Sequence, residues 1–110
     1  MGEPKTAQID VLVPTCDRPV ELATTLAGLA AQTDVPFRVI VSDQSEGAAS
    51  YATPAAETLI RALRMRGTAV ELHRHLPRRG IAEQRSLLLS LATAPAVLFL
   101  DDDVWLEPGV

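Results

Sequence analysis

The chain has 110 residues, which is enough for one domain with a modest hydrophobic core. Its net charge is -4 and aromatic residues make up only 4% of it, a composition that argues against nucleic-acid binding. No apolar run approaches the ~20 residues of a membrane span, and the polar start is unlike a signal peptide. The single Cys16 cannot form an intrachain disulfide, which suits a reducing compartment. We therefore expect a cytoplasmic protein with no transmembrane segment.

The first half of the chain alternates between a strand pattern and a helix pattern. Residues 9–13 are apolar and β-rich and predict a strand, which the next residues interrupt. Pro19 suits the first turn of a helix, and Asp17 just upstream is a candidate cap. Leucines at i, i+4 and i+7 then form an amphipathic stripe: Leu22, Leu26 and Leu29. Residues 37–41 predict a second strand that ends at Ser42 and Asp43.

The second half repeats this alternation. Residues 44–53 are small and polar and predict a loop, after which Pro54 begins a helix that Gly67 ends. Residues 70–72 are a weak third strand, and residues 73–79 a basic connection. The third predicted helix carries four residues near one face: Ile81, Arg85, Leu88 and Leu91. Residues 96–100 are apolar and predict the fourth strand.

A chain of alternating strands and helices indicates the α/β class. The expected fold is a mainly parallel four-stranded sheet with helices on both faces. Ligands bind such open sheets outside the carboxyl ends of the strands. Acidic residues follow three of the four predicted strands at that end: Asp17, Asp43 and the run Asp101, Asp102 and Asp103. This convergence favours a metal or nucleotide site at that edge.

The acidic triplet after the fourth strand is the most informative feature of the sequence. Three consecutive carboxylates repel one another, and a cation relieves that repulsion. Asp101 and Asp103 are two residues apart and share a face of an extended backbone. Paired oxygen ligands of this kind suit Mg²⁺ or Mn²⁺. The alternative interpretation of the triplet is a solvated acidic turn after a core strand.

Four segments in order give a wider resemblance. They are VLVPTCDRP from residue 11, VIVSDQS from residue 39, GIAEQR from residue 80 and LFLDDD from residue 98. Together they resemble the nucleotide-sugar-binding, N-terminal half of family 2 glycosyltransferases, which have a Rossmann-like GT-A fold. Two positions depart from the family pattern: Arg78-Arg79-Gly80 replaces an approach that commonly contains Asn, and Ser86 stands where Asn is frequent.

The resemblance implies a set of site residues. Pro14 and Thr15 would begin the loop around the base, Asp43 would accept hydrogen bonds from the base, and Arg85 would lie near the diphosphate. The full donor-binding set is Pro14, Thr15, Asp17, Arg18, Asp43, Arg85, Asp101 and Asp102. Asp101 and Asp103 match the family's Asp-x-Asp motif: Asp103 would bind the metal, Mn²⁺ or Mg²⁺, and Asp101 would bind the ribose or, through water, the metal.

The resemblance also implies an activity. The family transfers a sugar from a nucleotide-diphospho-sugar donor to an acceptor, with a metal and, in our interpretation, with inversion at the sugar carbon. The general base of the family lies downstream of the Asp-x-Asp motif. We therefore expect residues 1–110 to be a single partial domain that binds donor without turnover, with the acceptor undetermined. We also expect self-association through apolar surface that the missing part would cover, at Leu88, Leu91, Leu98 and Leu100.

Three other functions share parts of this pattern. The segment FLDDDV from residue 99 also resembles haloacid-dehalogenase-like phosphatases, in which Asp101 would be a nucleophile, although that motif normally lies near the start of its domain. A non-catalytic nucleotide-binding module fits the same residues. A phosphoacceptor receiver has this length and alternation, but it needs an acidic pair after the first strand, where this chain has one acidic residue.

Overall fold

Four strands pair into one sheet, and all of them run in the same direction. The computed structural model describes residues 7–32 and 35–100. In chain order the elements are β1 (Ile9–Thr15), α1 (Pro19–Ala30), β2 (Phe37–Asp43), α2 (Pro54–Met65), β3 (Val70–Arg74), α3 (Ile81–Leu91) and β4 (Ala96–Phe99). The predicted α/β class and the alternation of strands and helices are confirmed. Within the described ranges, no helix has the length and apolar character needed to cross a bilayer.

The order of the strands across the sheet is β3-β2-β1-β4. The chain moves outward from β1 to β3 and then returns across the sheet to place β4 on the other side of β1. Because parallel crossovers are right-handed, this reversal puts α3 on the face opposite α1 and α2. The carboxyl ends of β1 and β4 therefore flank a topological switch point, where open α/β sheets bind their ligands.

Two hydrophobic clusters confirm that helices cover both faces of the sheet. The larger cluster packs α1 and α2 against one face of β1 and β2, and its strand members include Val11, Val13, Val39 and Val41. The smaller cluster lies on the other face and joins Leu12 and Ile40 to Leu88 of α3. Successive strand residues point to opposite faces, so adjacent residues of one strand belong to different clusters.

Local signals set both ends of α2, whereas α1 begins at the predicted Pro19 but without the predicted cap. Thr53 is the N-cap of α2, and its side chain accepts a hydrogen bond from the N–H of Ala56. Gly67, just past α2, has a φ of 96°, which glycine adopts without strain. The N-cap of α1 is Arg18, with no side-chain cap. The prediction of Asp17 as the cap was wrong, because Asp17 lies one residue upstream of the capping position, with a φ of 55°.

Two strands are longer than predicted. β3 includes His73 and Arg74, which the sequence had suggested for a connection. β1 includes Pro14 and Thr15, which were expected in a loop. The pairing of β1 with β4 ends at Leu12 and Phe99. Proline has no N–H group to donate, so a strand tolerates it where no neighbouring strand needs that hydrogen bond. Pro14 is such a position, because it lies beyond the last pair of β1 with β4.

The packing of α3 differs from prediction at its first turn. Leu88 is buried, but Ile81 is 53% exposed and Gln84 is only 2% exposed. Gln84 already reaches the carboxyl ends of β1 and β2, at Thr15 and Ser42, so the turn before it extends past the end of the sheet. Leu88 and Leu100 are both buried, contrary to the expected exposure, whereas Leu98 is 44% exposed.

Candidate active site at the carboxyl edge of the sheet

The candidate site lies where β1 and β2 end side by side. Their register pairs Pro14 with Ser42 and Thr15 with Asp43, and all four residues are buried. The sheet hydrogen bonding continues one residue further, because the N–H of Gln44 donates to the carbonyl oxygen of Thr15 at 3.0 Å. The backbone of this edge is therefore held firmly up to the point where the two loops leave the sheet.

Asp43 is a buried carboxylate with one oxygen satisfied and one not. Its Oδ1 accepts a hydrogen bond from the Ser45 hydroxyl at 2.8 Å. Its Oδ2 is buried and has no hydrogen-bond partner among the described residues. The Nε of Arg74 lies 3.8 Å from this oxygen, which makes an ion pair but is too long for a hydrogen bond. Oδ2 therefore keeps its capacity to accept a hydrogen bond.

The loop after β2 holds the loop after β1. The Ser45 hydroxyl that donates to Asp43 also accepts from the N–H of Asp17 at 2.8 Å. The Ser50 hydroxyl accepts from the N–H of Arg18 at 3.1 Å. These two serines satisfy the backbone N–H groups of Asp17 and Arg18, the two residues just before α1 begins. The side chains of Asp17 and Arg18 are thereby presented at an exposed turn beside Asp43.

Arg74 secures the loop after β2 from the neighbouring strand. Its Nη2 donates to the carbonyl oxygens of Ser45 at 2.6 Å and of Gly47 at 3.0 Å. The same guanidinium is the ion-pair partner of Asp43. Arg74 therefore acts on Asp43 twice, through its charge and through the loop that carries Ser45.

Gln84 is a site residue that the sequence reasoning missed as a candidate. It lies in α3, is buried, and its Nε2 donates to the carbonyl oxygens of Thr15 at 3.0 Å and Ser42 at 2.6 Å. The available signal was a polar side chain four residues before Leu88, on the buried stripe of the helix. A polar residue at such a position needs hydrogen-bond partners, and here the partners are the ends of β1 and β2.

Arg85 lies near the end of β4. Its guanidinium carbon is 5.6 Å from the centroid of the Phe99 ring, a cation–π distance. Phe99 is the last residue of β4, and Leu100 still donates its N–H to the carbonyl oxygen of Leu12 at 3.0 Å. A positive charge is thus placed beside Phe99, which precedes the acidic triplet by two residues in the chain.

Cys16 follows β1 directly and is a protonated thiol at neutral pH. Burial raises the pKa of Cys16, and the charge of Asp17 raises it further, although Arg78 opposes the shift. The thiol lies 3.6 Å from the Oδ2 atom of Asp17. A high pKa is unfavourable for a nucleophile, so the structure does not favour a catalytic role for Cys16.

The predicted metal ligands fall outside the described residues. Asp101, Asp102 and Asp103 all lie there, so the structure does not test their assignment. Within residues 7–32 and 35–100, no group of three or more His, Cys, Asp or Glu side chains could hold a metal ion. Of the predicted donor-binding residues, the structure brings Pro14, Thr15, Asp17, Arg18, Asp43 and Arg85 to the same edge of the sheet.

Solved structures share this fold. A mannosyltransferase from Pyrobaculum calidifontis, PcManGT, in complex with GDP-Man and Mn²⁺, is 24% identical with a TM-score of 0.67, and the match covers 94% of this chain and 30% of that one. S. aureus TarS is 24% identical with a TM-score of 0.69, over 89% of this chain and 17% of that one. A structure of TarS 1-349 in complex with UDP-GlcNAc is 24% identical with a TM-score of 0.66, over 89% and 27%.

These likenesses extend over nearly all of this chain but less than a third of each neighbour. At such identities they establish the fold alone. No curated protein matches the sequence. The family comparison is more specific, because the profile of glycosyl transferase family 2 matches residues 10–110. That match includes every strand end described above and the acidic triplet, and on this ground the chain belongs to glycosyl transferase family 2.

Proposed function

We propose that this chain is the donor-binding half of a glycosyltransferase that uses a nucleotide-diphospho-sugar. One observation carries the proposal beyond family membership: Asp43 keeps a buried carboxylate oxygen without a hydrogen-bond partner among the described residues, at the ligand-binding edge of the sheet. A buried acceptor of this kind is costly unless a ligand uses it. The neighbours in complex with UDP-GlcNAc and with GDP-Man support a nucleotide sugar as that ligand.

Base recognition is the role we assign to Asp43. Uracil and guanine both carry a ring N–H that can donate to Oδ2, and Ser45 keeps the other oxygen occupied and the carboxylate oriented. The ordered turn at Asp17 and Arg18 would form one wall beside the base. Because both bases offer a donor, this contact alone does not choose between uridine and guanosine donors.

The diphosphate of the donor would lie near β4. The carboxylate oxygens of the acidic triplet are ligands that suit a divalent cation. They follow β4 closely in the chain, and Leu100, just before them, is still hydrogen-bonded to Leu12 of β1. Asp101 and Asp103 would hold Mn²⁺ or Mg²⁺, with Asp102 beside them. Such a cation, when bound, supplies Lewis-acid stabilisation of the diphosphate leaving group. Arg85 contributes a second positive charge on the same side of the sheet.

The reaction we propose is an inverting transfer. The acceptor hydroxyl attacks the anomeric carbon as the bond from that carbon to the diphosphate oxygen breaks. The electron pair leaves with the nucleoside diphosphate, and the acceptor proton passes to a general base. None of the described residues is assigned that role. The chain spans 17–30% of the length of its structural neighbours, and we propose that residues 1–110 bind donor without turnover.

The test is calorimetric titration of the chain with UDP and with GDP, each with and without Mn²⁺. We expect binding of at least one nucleotide, strengthened by Mn²⁺. Asp103→Ala should remove the effect of Mn²⁺ and leave weak, metal-independent binding. Glu57→Gln, at an exposed carboxylate of α2, is the matched control and should behave as the parent chain. A folded chain that binds neither nucleotide, or binds equally with and without Mn²⁺, contradicts the proposal.

A further inference from the structure

Gln84 is a buried polar side chain whose two hydrogen bonds both go to the edge of the sheet. It is 2% exposed, and its Nε2 donates to Thr15 and to Ser42 on adjacent strands. These two carbonyl groups are buried, and the contact to Ser42, at 2.6 Å, is short for an N–H···O bond. One amide group therefore spans β1 and β2 from the helix that packs across them.

The two bonded carbonyls directly precede the site residues. Ser42 is followed by Asp43, and Thr15 is followed by the turn that contains Asp17. The carbonyl oxygen of Thr15 also accepts from the N–H of Gln44. The amide of Gln84 thus bonds the last residue of β1 and the residue before Asp43 in β2, next to the point from which the base acceptor and the neighbouring turn both project.

The same residue ties the sheet edge to the switch point. Gln84 precedes Arg85, whose guanidinium lies over Phe99 at the end of β4. If α3 slid along the sheet, the bonds from Gln84 would break and Arg85 would shift relative to β4. Apolar contacts of Leu88 with Leu12 and Ile40 hold the helix against the sheet but are non-directional. The hydrogen bonds from Gln84 to two carbonyl oxygens depend on distance and angle, so they fix the position of α3 along the sheet, which the apolar contacts do not.

We propose that Gln84 is a positioning residue for the donor site: its amide sets the spacing of the β1 and β2 ends, and with it the placement of Asp43 against the nucleotide base. The inference rests on the proposed nucleotide-binding function. Few side chains can replace it. Met has a similar length but no N–H group, Glu would place a carboxylate against two carbonyl oxygens, and Asn is one methylene too short to reach both.

The test compares Gln84→Met with Leu88→Ala, a second change on the buried stripe of α3. Both variants and the parent chain are titrated with UDP and with GDP in the presence of Mn²⁺, at a temperature where circular dichroism shows each to be folded. We expect Gln84→Met to weaken binding by roughly tenfold, the size of one to two net hydrogen bonds. Leu88→Ala should lower the melting temperature further but change the affinity less than about twofold, because its cavity lies within the core.

A spectroscopic measurement separates positioning from simple destabilisation. In ¹H–¹⁵N spectra, the amide signals of Gln44 and Asp17 should move in Gln84→Met and stay in place in Leu88→Ala, because both amides report the geometry of the two strand ends. If Gln84→Met does not fold, Gln84→Asn takes its place with the same expectations.

The outcomes are distinguishable. A folded Gln84→Met that binds as tightly as the parent chain, or that leaves both amide signals unmoved, overturns the positioning role and leaves the nucleotide site intact. A parent chain that binds neither UDP nor GDP overturns the proposed function and this inference together. An equal loss of affinity in Gln84→Met and Leu88→Ala also overturns the positioning role, because the lower affinity would then be explained by lower stability alone.

Discussion

At the scale of single residues, Asp43 is a buried carboxylate that costs the fold free energy and can accept a hydrogen bond from a ligand. Its Oδ1 is hydrogen-bonded to Ser45, its Oδ2 is not hydrogen-bonded within the described part of the chain, and its ion pair with Arg74 is long. A buried charge with incomplete partners contributes little to stability. The local arrangement is therefore better explained by a ligand than by the requirements of the fold.

Asp43→Asn tests this view. The amide oxygen can still accept from Ser45, whereas the negative charge and the free acceptor are lost. We expect the free energy of unfolding to change by no more than about 1 kcal/mol. Nucleotide affinity should fall by roughly tenfold or more, because a buried charged hydrogen bond to the base is removed.

The measurements are urea denaturation and calorimetric titration with UDP and GDP. Ser45→Ala is the companion variant, since it leaves the Asp43 charge but removes the bonds to Asp43 and to the N–H of Asp17. It should weaken both stability and binding. Full nucleotide affinity in Asp43→Asn would show that this carboxylate does not contact the base.

Cys16 gives a pH-dependent prediction at the same scale. Burial and then the Asp17 charge hold the pKa of the Cys16 thiol above its ordinary value of 9.0. Because only the thiolate is alkylated, the rate of reaction with iodoacetamide should still be rising above pH 9. Asp17→Asn should move the inflection of this rate to lower pH, since the neighbouring charge is removed. An inflection below that of a free thiol in the parent chain would contradict the prediction.

At the scale of elements, an ion pair fastens the connection between α3 and β4 to the sheet. Buried Asp10 of β1 accepts from Arg38 of β2, with Nε to Oδ1 at 2.9 Å. Its Oδ2 also accepts from the N–H groups of Thr93 at 2.7 Å and Ala94 at 2.9 Å. This cluster lies at the amino end of the strands, opposite the candidate site. It fixes the start of β4, while Gln84 holds the other end of α3.

Asp10→Asn should destabilise the fold in a pH-dependent way. Burial raises the pKa of Asp10, but hydrogen bonds from Arg38, Ala94 and Thr93 outweigh it and leave the pKa below the ordinary value of 3.8. The stabilisation is therefore present above about pH 4 and is lost as the pH falls through the lower pKa of the folded state. At pH 7 we expect a loss of about 3 kcal/mol in the variant, because Arg38 loses its buried partner.

Urea denaturation as a function of pH measures this effect. The parent chain should lose stability more steeply than Asp10→Asn as the pH falls below about 4. Glu71→Gln removes the other, more exposed partner of Arg38 and should cost less than about 1 kcal/mol at pH 7. If the free energy of unfolding fell in parallel with pH for the parent chain and Asp10→Asn, Asp10 would not be the group responsible for the loss of stability in acid.

At the scale of the whole molecule, the sheet that residues 7–32 and 35–100 form has two edge strands, β3 and β4. β4 is short and carries exposed apolar residues, with Val97 at 42% and Leu98 at 44% exposure. Unprotected apolar edge strands favour association between chains. The self-association predicted from the sequence stays a prediction, with a smaller surface than expected, because Leu88 and Leu100 are buried.

Sedimentation velocity at micromolar concentration tests this expectation. The parent chain should sediment as a species larger than a monomer, and Val97→Lys should shift it toward monomer, because a charge on an edge strand opposes pairing. Val20→Lys, at an exposed position of α1, is the control and should leave the distribution unchanged. A compact monomer for the parent chain at these concentrations would refute the prediction.

The sequence by itself determined the class of fold, the number and order of its elements, and the family resemblance. Those features depend on local patterns: apolar runs bounded by Pro and Gly, leucines at helical spacing, and short motifs at strand ends. The family match over residues 10–110 confirms the resemblance. The same local patterns placed Asp43 near the carboxyl edge, because parallel strands bring their ends together, whereas the family resemblance pointed to Arg85.

Only the tertiary structure decided what depends on contacts between distant residues. The strand order β3-β2-β1-β4 and the bonds from Gln84 to Thr15 and Ser42 join parts of the chain tens of residues apart. The same is true of Ser45 and Ser50, which accept hydrogen bonds from the N–H groups of Asp17 and Arg18 at the turn before α1. No local pattern encodes these partners, because a buried polar group is satisfied by whichever donor or acceptor the packing brings within reach.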